Sequence, residues 1–171
     1  ISVDFMVLVD DPLAVGVTSI FNAVALNDGT PPDCVALPTS PGCAVVPTAN
    51  LRLTKVVDSV APTGPGRYRV TYRIDIVNLG GSAGSYTLTD TFGFPGSGVV
   101  YTGNARVTTA GGTINPALVG GEYVPNNGTM VQISDNSVVL AIGATHTYSV
   151  SVPIGVQPGN RVLEIGCGWG A

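Results

Sequence analysis

Arg67-Tyr68-Arg69-Val70-Thr71-Tyr72-Arg73-Ile74-Asp75-Ile76-Val77-Asn78 is the stretch on which the fold turns. Tyr68, Val70, Tyr72, Ile74 and Ile76 take alternate positions, and Arg69, Thr71, Arg73 and Asp75 fill those between. A strict period of two gives a strand one apolar and one polar face; a helix would scatter the same residues round its circumference. Leu51-Arg52-Leu53-Thr54-Lys55 alternates in the same way, and 85–92 puts Tyr86 and Leu88 on one side and Thr87 and Thr89 on the other. Weaker strand patterns follow at 98–102, 105–109, 129–134, 137–142, 145–152 and 161–165. Gly64-Pro65-Gly66, Gly80-Gly81, Gly111-Gly112, Asn126-Asn127-Gly128, Asp135-Asn136 and Pro158-Gly159 are the turn signals between them. Many short strands at this spacing predict an all-β, antiparallel two-sheet sandwich, and no segment reads as a helix.

Composition agrees. The 171 residues carry 7 Lys+Arg and 11 Asp+Glu, a net charge of −4. One lysine and two glutamates cannot build solvated helix faces. A hydrophobic content of 44% fills a core and argues against disorder. The basic residues cluster only at Arg67, Arg69 and Arg73, so no nucleic-acid footprint is expected. No apolar run reaches the roughly 20 residues of a membrane span. Low charge with a polar face of Thr, Ser and Asn predicts an extracellular or cell-surface location.

Cys34 and Cys43 bracket the loop 35–42, which holds Pro38 and Pro41. In an oxidising compartment they are expected to close a local disulfide; two reduced thiols are the alternative. Cys167 is then left as a free or interchain thiol.

The chain divides into 1–27, a strand pair; 28–50, a Pro- and Cys-containing linker loop; and 51–171, the sandwich. In the first part Phe5, Val7 and Val9 alternate, and a second strand resumes after Gly16 with Ile20 and Phe21. Residues 5–16 align without a gap with 148–159. Both start with aromatic-x-Val-x-Val, pass through a loop and close on Gly16 or Gly159. This predicts that 1–27 ends one repeat and that the next begins near residue 50. Two unrelated hairpins sharing β periodicity are the alternative.

The runs Leu51-x-Leu53-x-Lys55, Tyr68-x-Val70-x-Tyr72-x-Ile74-x-Ile76-x-Asn78-x-Gly80 and Leu88-x-Asp90-Thr91 resemble the conserved repeat domain of large bacterial and archaeal surface proteins, long catalogued as a domain of unknown function. The resemblance covers about residues 50–165. It implies an immunoglobulin-like sandwich, tandem arrays in stalks, adhesins, sheaths or fibres, and no catalytic residues. The first copy ends on Ile20-Phe21-Asn22-Ala23, whereas the second has Leu163-Glu164-Ile165-Gly166.

The candidate chemistry is thin, and neither an enzyme nor a cofactor is expected. Residues 162–170 resemble the glycine-rich first motif of class I methyltransferases, but that motif needs a parallel sheet and a following helix. A terminal strand and tail is the expected reading. His146 is the sole histidine, and no Gly-x-Ser-x-Gly elbow accompanies it. Three cysteines and one distant histidine lack zinc spacing. Asp10-Asp11 beside a turn is read as solvated, with weak calcium binding as the alternative. Lys55 shares the parity of Leu51 and Leu53, so it points to the core or its rim. It is read as a snorkelling side chain, with an isopeptide cross-link, as surface immunoglobulin-like domains sometimes form between a strand Lys and an Asn, as the alternative. Asn127-Gly128-Thr129 is a lone glycosylation sequon.

Two strands alone are marginal in water, and Phe5, Val7, Val9, Ile20 and Phe21 would show an apolar face. The expected partner is the chain itself: a copy or tandem-repeat neighbour accepting 1–27 by strand donation, propagating a filament. The alternative is an adhesin stalk or tip repeat that recognises a surface glycan or protein through its loops.

Overall fold

The structure, a computed structural model, describes residues 13–25, 29–94 and 98–156, together with Met6 and Leu8. The strands are β1 (Ser19–Ala23), β2 (Cys43–Pro47), β3 (Leu51–Gly64), β4 (Arg67–Asn78), β5 (Gly84–Tyr86), β6 (Thr89–Thr91), β7 (Val99–Tyr101), β8 (Ala105–Ala110), β9 (Glu122–Tyr123), β10 (Met130–Gln132), β11 (Val138–Leu140) and β12 (Thr145–Val156). The one helical element among the described residues is a 3-10 turn at Val119–Gly121. The protein is all-β, with antiparallel sheets in a sandwich-like arrangement. The backbone falls into two compact units, 1–52 with 77–84 and 140–144, and 53–76 with 85–139 and 145–171.

The second unit is built on a sheet in the order β3-β4-β12-β8-β9, with β7 also pairing β12. Val70, Tyr72, Ile74 and Ile76 of β4 are buried and Arg67, Arg69 and Arg73 exposed, as the alternation requires. Tyr148, Val150, Val152 and Ile154 of β12 are wholly buried. β8 pairs β12 with Val150 opposite Val107, and β7 takes over the same edge with Ile154 opposite Tyr101. Thr147 Oγ1 donates to Asp75 Oδ1 at 2.7 Å. Leu88, Phe92, Phe94, Ile133 and Val138 supply further core. Each such aliphatic side chain contributes about 1.5–3 kcal/mol by leaving water.

Some elements depart from the sequence reading. The 85–92 pattern splits into β5 and β6, because the backbone of Leu88 turns aside to Ser134. Its N–H donates to Ser134 Oγ at 2.7 Å, and its carbonyl accepts from the Ile133 N–H at 2.9 Å. β12 runs on to Val156, so positions 153–155, expected as loop, are strand. The strand expected at 161–165 lies outside the described residues.

In the first unit, the stretch read as a linker loop contains β2, which pairs antiparallel with β1, Phe21 opposite Val45. Its loop is shaped by Asp33, whose Oδ1 accepts from the N–H groups of Val35 and Ala36 at 3.0 and 3.2 Å. The disulfide Cys34–Cys43 closes it, with Cα atoms 5.5 Å apart.

Two asparagines hold this unit. Asn78, the last inward-facing residue of β4, is fully buried. Its Oδ1 accepts from the N–H groups of Asn50 (3.2 Å) and Gly80 (3.0 Å), and its Nδ2 donates to the carbonyls of Ser82 (2.8 Å) and Leu140 (3.1 Å). Its own N–H donates to the Ala144 carbonyl and its carbonyl accepts from the Gly143 N–H. Asn50 extends the net, its Nδ2 donating to the carbonyls of Ala14 and Val17 at 3.1 and 3.0 Å. Gly80 is required beside it, because a Cβ there would lie 2.2 Å from the Thr48 carbonyl oxygen. Asn78→Ala orphans two buried N–H groups at about 1–3 kcal/mol each. Urea denaturation is expected to show a loss of about 4 kcal/mol for this variant, and at least as much for Asn78→Asp, which turns a charge toward two carbonyls.

Candidate functional site

Two polar clusters lie inside the second unit. The first is built around Lys55 and Asp90. In β6 the inward positions continue the parity of Leu88 and Phe92, and Asp90 sits between them, 7% exposed where they are 5% and 4%. Lys55 Nζ forms an ion pair with Asp90 Oδ1, which also accepts from the Thr91 N–H at 2.9 Å. The ammonium lies 4.8 Å from the ring centroid of Tyr72 and 5.9 Å from that of Phe92, within cation–π range. Phe92 is also the hub of an aromatic group, stacked on Phe94 and Tyr123 and tilted against Tyr101, with centroids 6.1–6.2 Å apart. Asp90 Oδ2 and Tyr123 Oη are buried with no hydrogen-bond partner. Burial raises the Tyr123 phenol well above its ordinary 10.0, helped by the charge of Asp90 and then by Tyr101.

The second cluster is centred on Tyr86. Its Oη lies 2.8 Å from His146 Nδ1 and 3.0 Å from Tyr148 Oη. Tyr148 Oη in turn accepts from the Thr113 N–H and reaches the Thr113 carbonyl, both at 3.2 Å. Gly112 makes room, since a Cβ there would stand 2.3 Å from that hydroxyl. Burial, then the Tyr148 hydrogen bond and charge, push the Tyr86 phenol far up, so it keeps its proton as a donor. His146 is thus a half-buried strand-end residue whose hydrogen bond goes to a phenol that does not ionise near neutrality. The cluster ties a loop to β12 and holds no activated nucleophile.

The other expected residues are placed as follows. Ile20 is half-buried and Phe21 is 50% exposed, both in β1. Phe5, Val7, Val9, Asp10, Asp11, Cys167 and the tail 162–170 lie outside the described residues. Asn127 pins a loop in place. Its Oδ1 accepts from Tyr101 Oη at 2.5 Å and from the Phe94 N–H at 3.3 Å, and its Nδ2 turns to the Phe94 carbonyl at 3.5 Å. A glycan on that nitrogen would compete with this contact. Among the described residues no group of three or more His, Cys, Asp or Glu could hold a metal ion, and no helix is long and apolar enough to cross a membrane.

Sequence reasoning put Lys55 at the core or its rim but did not find its partner. The signal was present, since Asp90 is the one charged residue in the inward phase 88, 90, 92. No family model, curated protein or solved structure matches the chain.

Removing the Lys55 ammonium leaves the Asp90 carboxylate buried and unpaired, which costs about 3 kcal/mol after allowance for the partial exposure of the lysine. Lys55→Met is expected to lose about that much in chemical denaturation, and Lys55→Met/Asp90→Leu to recover most of it. The phenols of Tyr86, Tyr101 and Tyr123 are all raised by burial above 10.0. A phenol raised in the folded state holds its proton while the unfolded chain releases it. Stability from these groups is therefore complete below about pH 10 and declines as pH rises further. Absorbance titration should show at least two of the six tyrosines, Tyr86 and Tyr123, silent at pH 11 until the chain unfolds.

Proposed function

We propose that this chain is a non-enzymatic structural element of an extracellular filament or surface array, joined to copies of itself or to tandem-repeat neighbours through residues 1–27. The observation that carries the reading is the apolar surface of the β1–β2 ribbon and its stapled loop. Phe21 is 50% exposed, Val24 62%, Val46 61%, Val35 73% and Leu37 62%. A two-stranded sheet is marginal in water, and an apolar face of this kind calls for a cover. The sandwich is read as immunoglobulin-like, in keeping with the resemblance to surface-protein repeats. The Cys34–Cys43 disulfide supports an oxidising, extracellular setting. The Tyr86 cluster supports a structural role, since its hydrogen bonds are spent on holding a loop against β12.

Sedimentation velocity over a concentration series, with negative-stain microscopy of the same samples, tests this. Oligomers or fibres are expected, and Phe21→Ser with Val46→Ser is expected to weaken association at least tenfold while the disulfide remains. A strictly monomeric protein removes the proposal and leaves the adhesin-repeat reading.

A further inference from the structure

We propose that the free edge of β3 receives residues 5–9 of a second copy of this chain as an added strand. The inference rests on the reading of 1–27 as an assembly element and names its acceptor. β3 has 14 residues and ends the order of the six-stranded sheet, so among the described residues β4 is its one strand neighbour. Its outer row of N–H and C=O groups is a template for another strand. Edges of this length are ordinarily guarded by outward lysines, a bulge or proline. Here the one lysine, Lys55, is bound to Asp90, Arg52 donates to the Leu13 carbonyl, Pro62 stands near the far end, and Asp58 is the one exposed charge between Lys55 and Pro62. Along the strand Leu53, Val56 and Val60 are 56%, 40% and 43% exposed, and they lie on both of its faces. An edge strand uncovered on both faces fits a docking site better than a finished boundary.

The occupant is argued from the sequence and from exposure. Residues 5–9 are an unbroken apolar run, the pattern of a strand covered on both faces. Within their own chain Met6 and Leu8 are 101% and 99% exposed. Five residues span roughly 17 Å, well within the length of β3. Charge is complementary toward β4, while the exposed Asp58 of β3 itself has the sign of the donor's flanks. The run is bounded by Asp4, Asp10 and Asp11, whereas the outer face of β4 beside β3 shows Arg67 and Arg69, exposed and without an ion pair among the described residues. An added strand would lie roughly 10 Å from β4, two strand spacings away. That is about one Debye length, so these arginines steer and orient the incoming strand rather than pair with it.

The test is sedimentation equilibrium of the full chain, wild type against Met6→Asp/Leu8→Asp and against Val56→Lys/Val60→Lys, with circular dichroism to show that each is folded. Both pairs are expected to raise the dissociation constant at least tenfold, and moving from about 0.05 to 0.5 M salt should weaken the wild type. Hydrogen exchange on the wild type alone should show the amides of 53–60 slowing as concentration rises. Association lost in the first pair but kept in the second, with the 53–60 amides unchanged, overturns β3 as acceptor and leaves assembly through 1–27 standing. Association that survives both pairs overturns the donor run. Protection of 53–60 that does not depend on concentration overturns a second copy as occupant. A wild type monomeric throughout removes the assembly reading and this inference together.

Discussion

Both hydrogen-bonding edges of β12 are in use, and the second unit depends on that fact. β4 occupies one edge along the sheet order, while β8 and then β7 share the other. A strand flanked on both sides must send alternate side chains into each face, and its inward set, Tyr148, Val150, Val152 and Ile154, is wholly buried. Register is fixed by the same circumstance. A slip of one residue would turn these four side chains outward and bring Ser149, Ser151 and Pro153 into the core. The polar face is anchored too, through Thr147 and Asp75.

Around this apolar frame the protein places few polar groups inside, and of these Asn78 is the most fully saturated. Asn78 uses its amide to satisfy backbone groups from four different places in the chain, which apolar packing alone cannot do. An irregular region such as 48–50 and 79–83 has no ladder to satisfy its N–H and C=O groups, and buried side-chain amides take over that work. Lys55 and Asp90 differ in kind. One carboxylate oxygen is satisfied and the other has no partner, in a setting of aromatic rings. Such a pair adds little net stability, but Lys55 cannot be removed alone without leaving the buried Asp90 charge unpaired.

These arrangements bear on function by what they leave over. The histidine, Tyr86, Tyr148 and the sole lysine all have structural partners, and the sequon asparagine holds a loop. Besides a few orphaned polar atoms inside the fold, such as Asp90 Oδ2 and Tyr123 Oη, what is left over is apolar side chains on β1, β2 and the stapled loop, and the backbone edge of β3. A surface poor in charge and rich in open strand edge favours association with other strands.

Legibility followed range. Period two exposed β4, β8 and β12 directly, because burial of one face is a local pattern that repeats every second residue. It also carried Leu88-x-Asp90-x-Phe92 and the parity of Lys55, although it could not say that these two meet. β2 and β9 were missed because each is short and paired by partners far along the chain. The break in 85–92 was missed because Ser134, remote in sequence, captures the backbone of Leu88. Residue order alone thus dictates an all-β chain, its main strands and their inward faces, and makes a Cys34–Cys43 bridge the expectation. It took the folded arrangement to make Asn78 a hub and to rest Lys55 on Asp90. The folded arrangement likewise makes β3 an edge, since which residues meet across a sheet or a core depends on strand order, and strand order leaves no periodic trace in the chain.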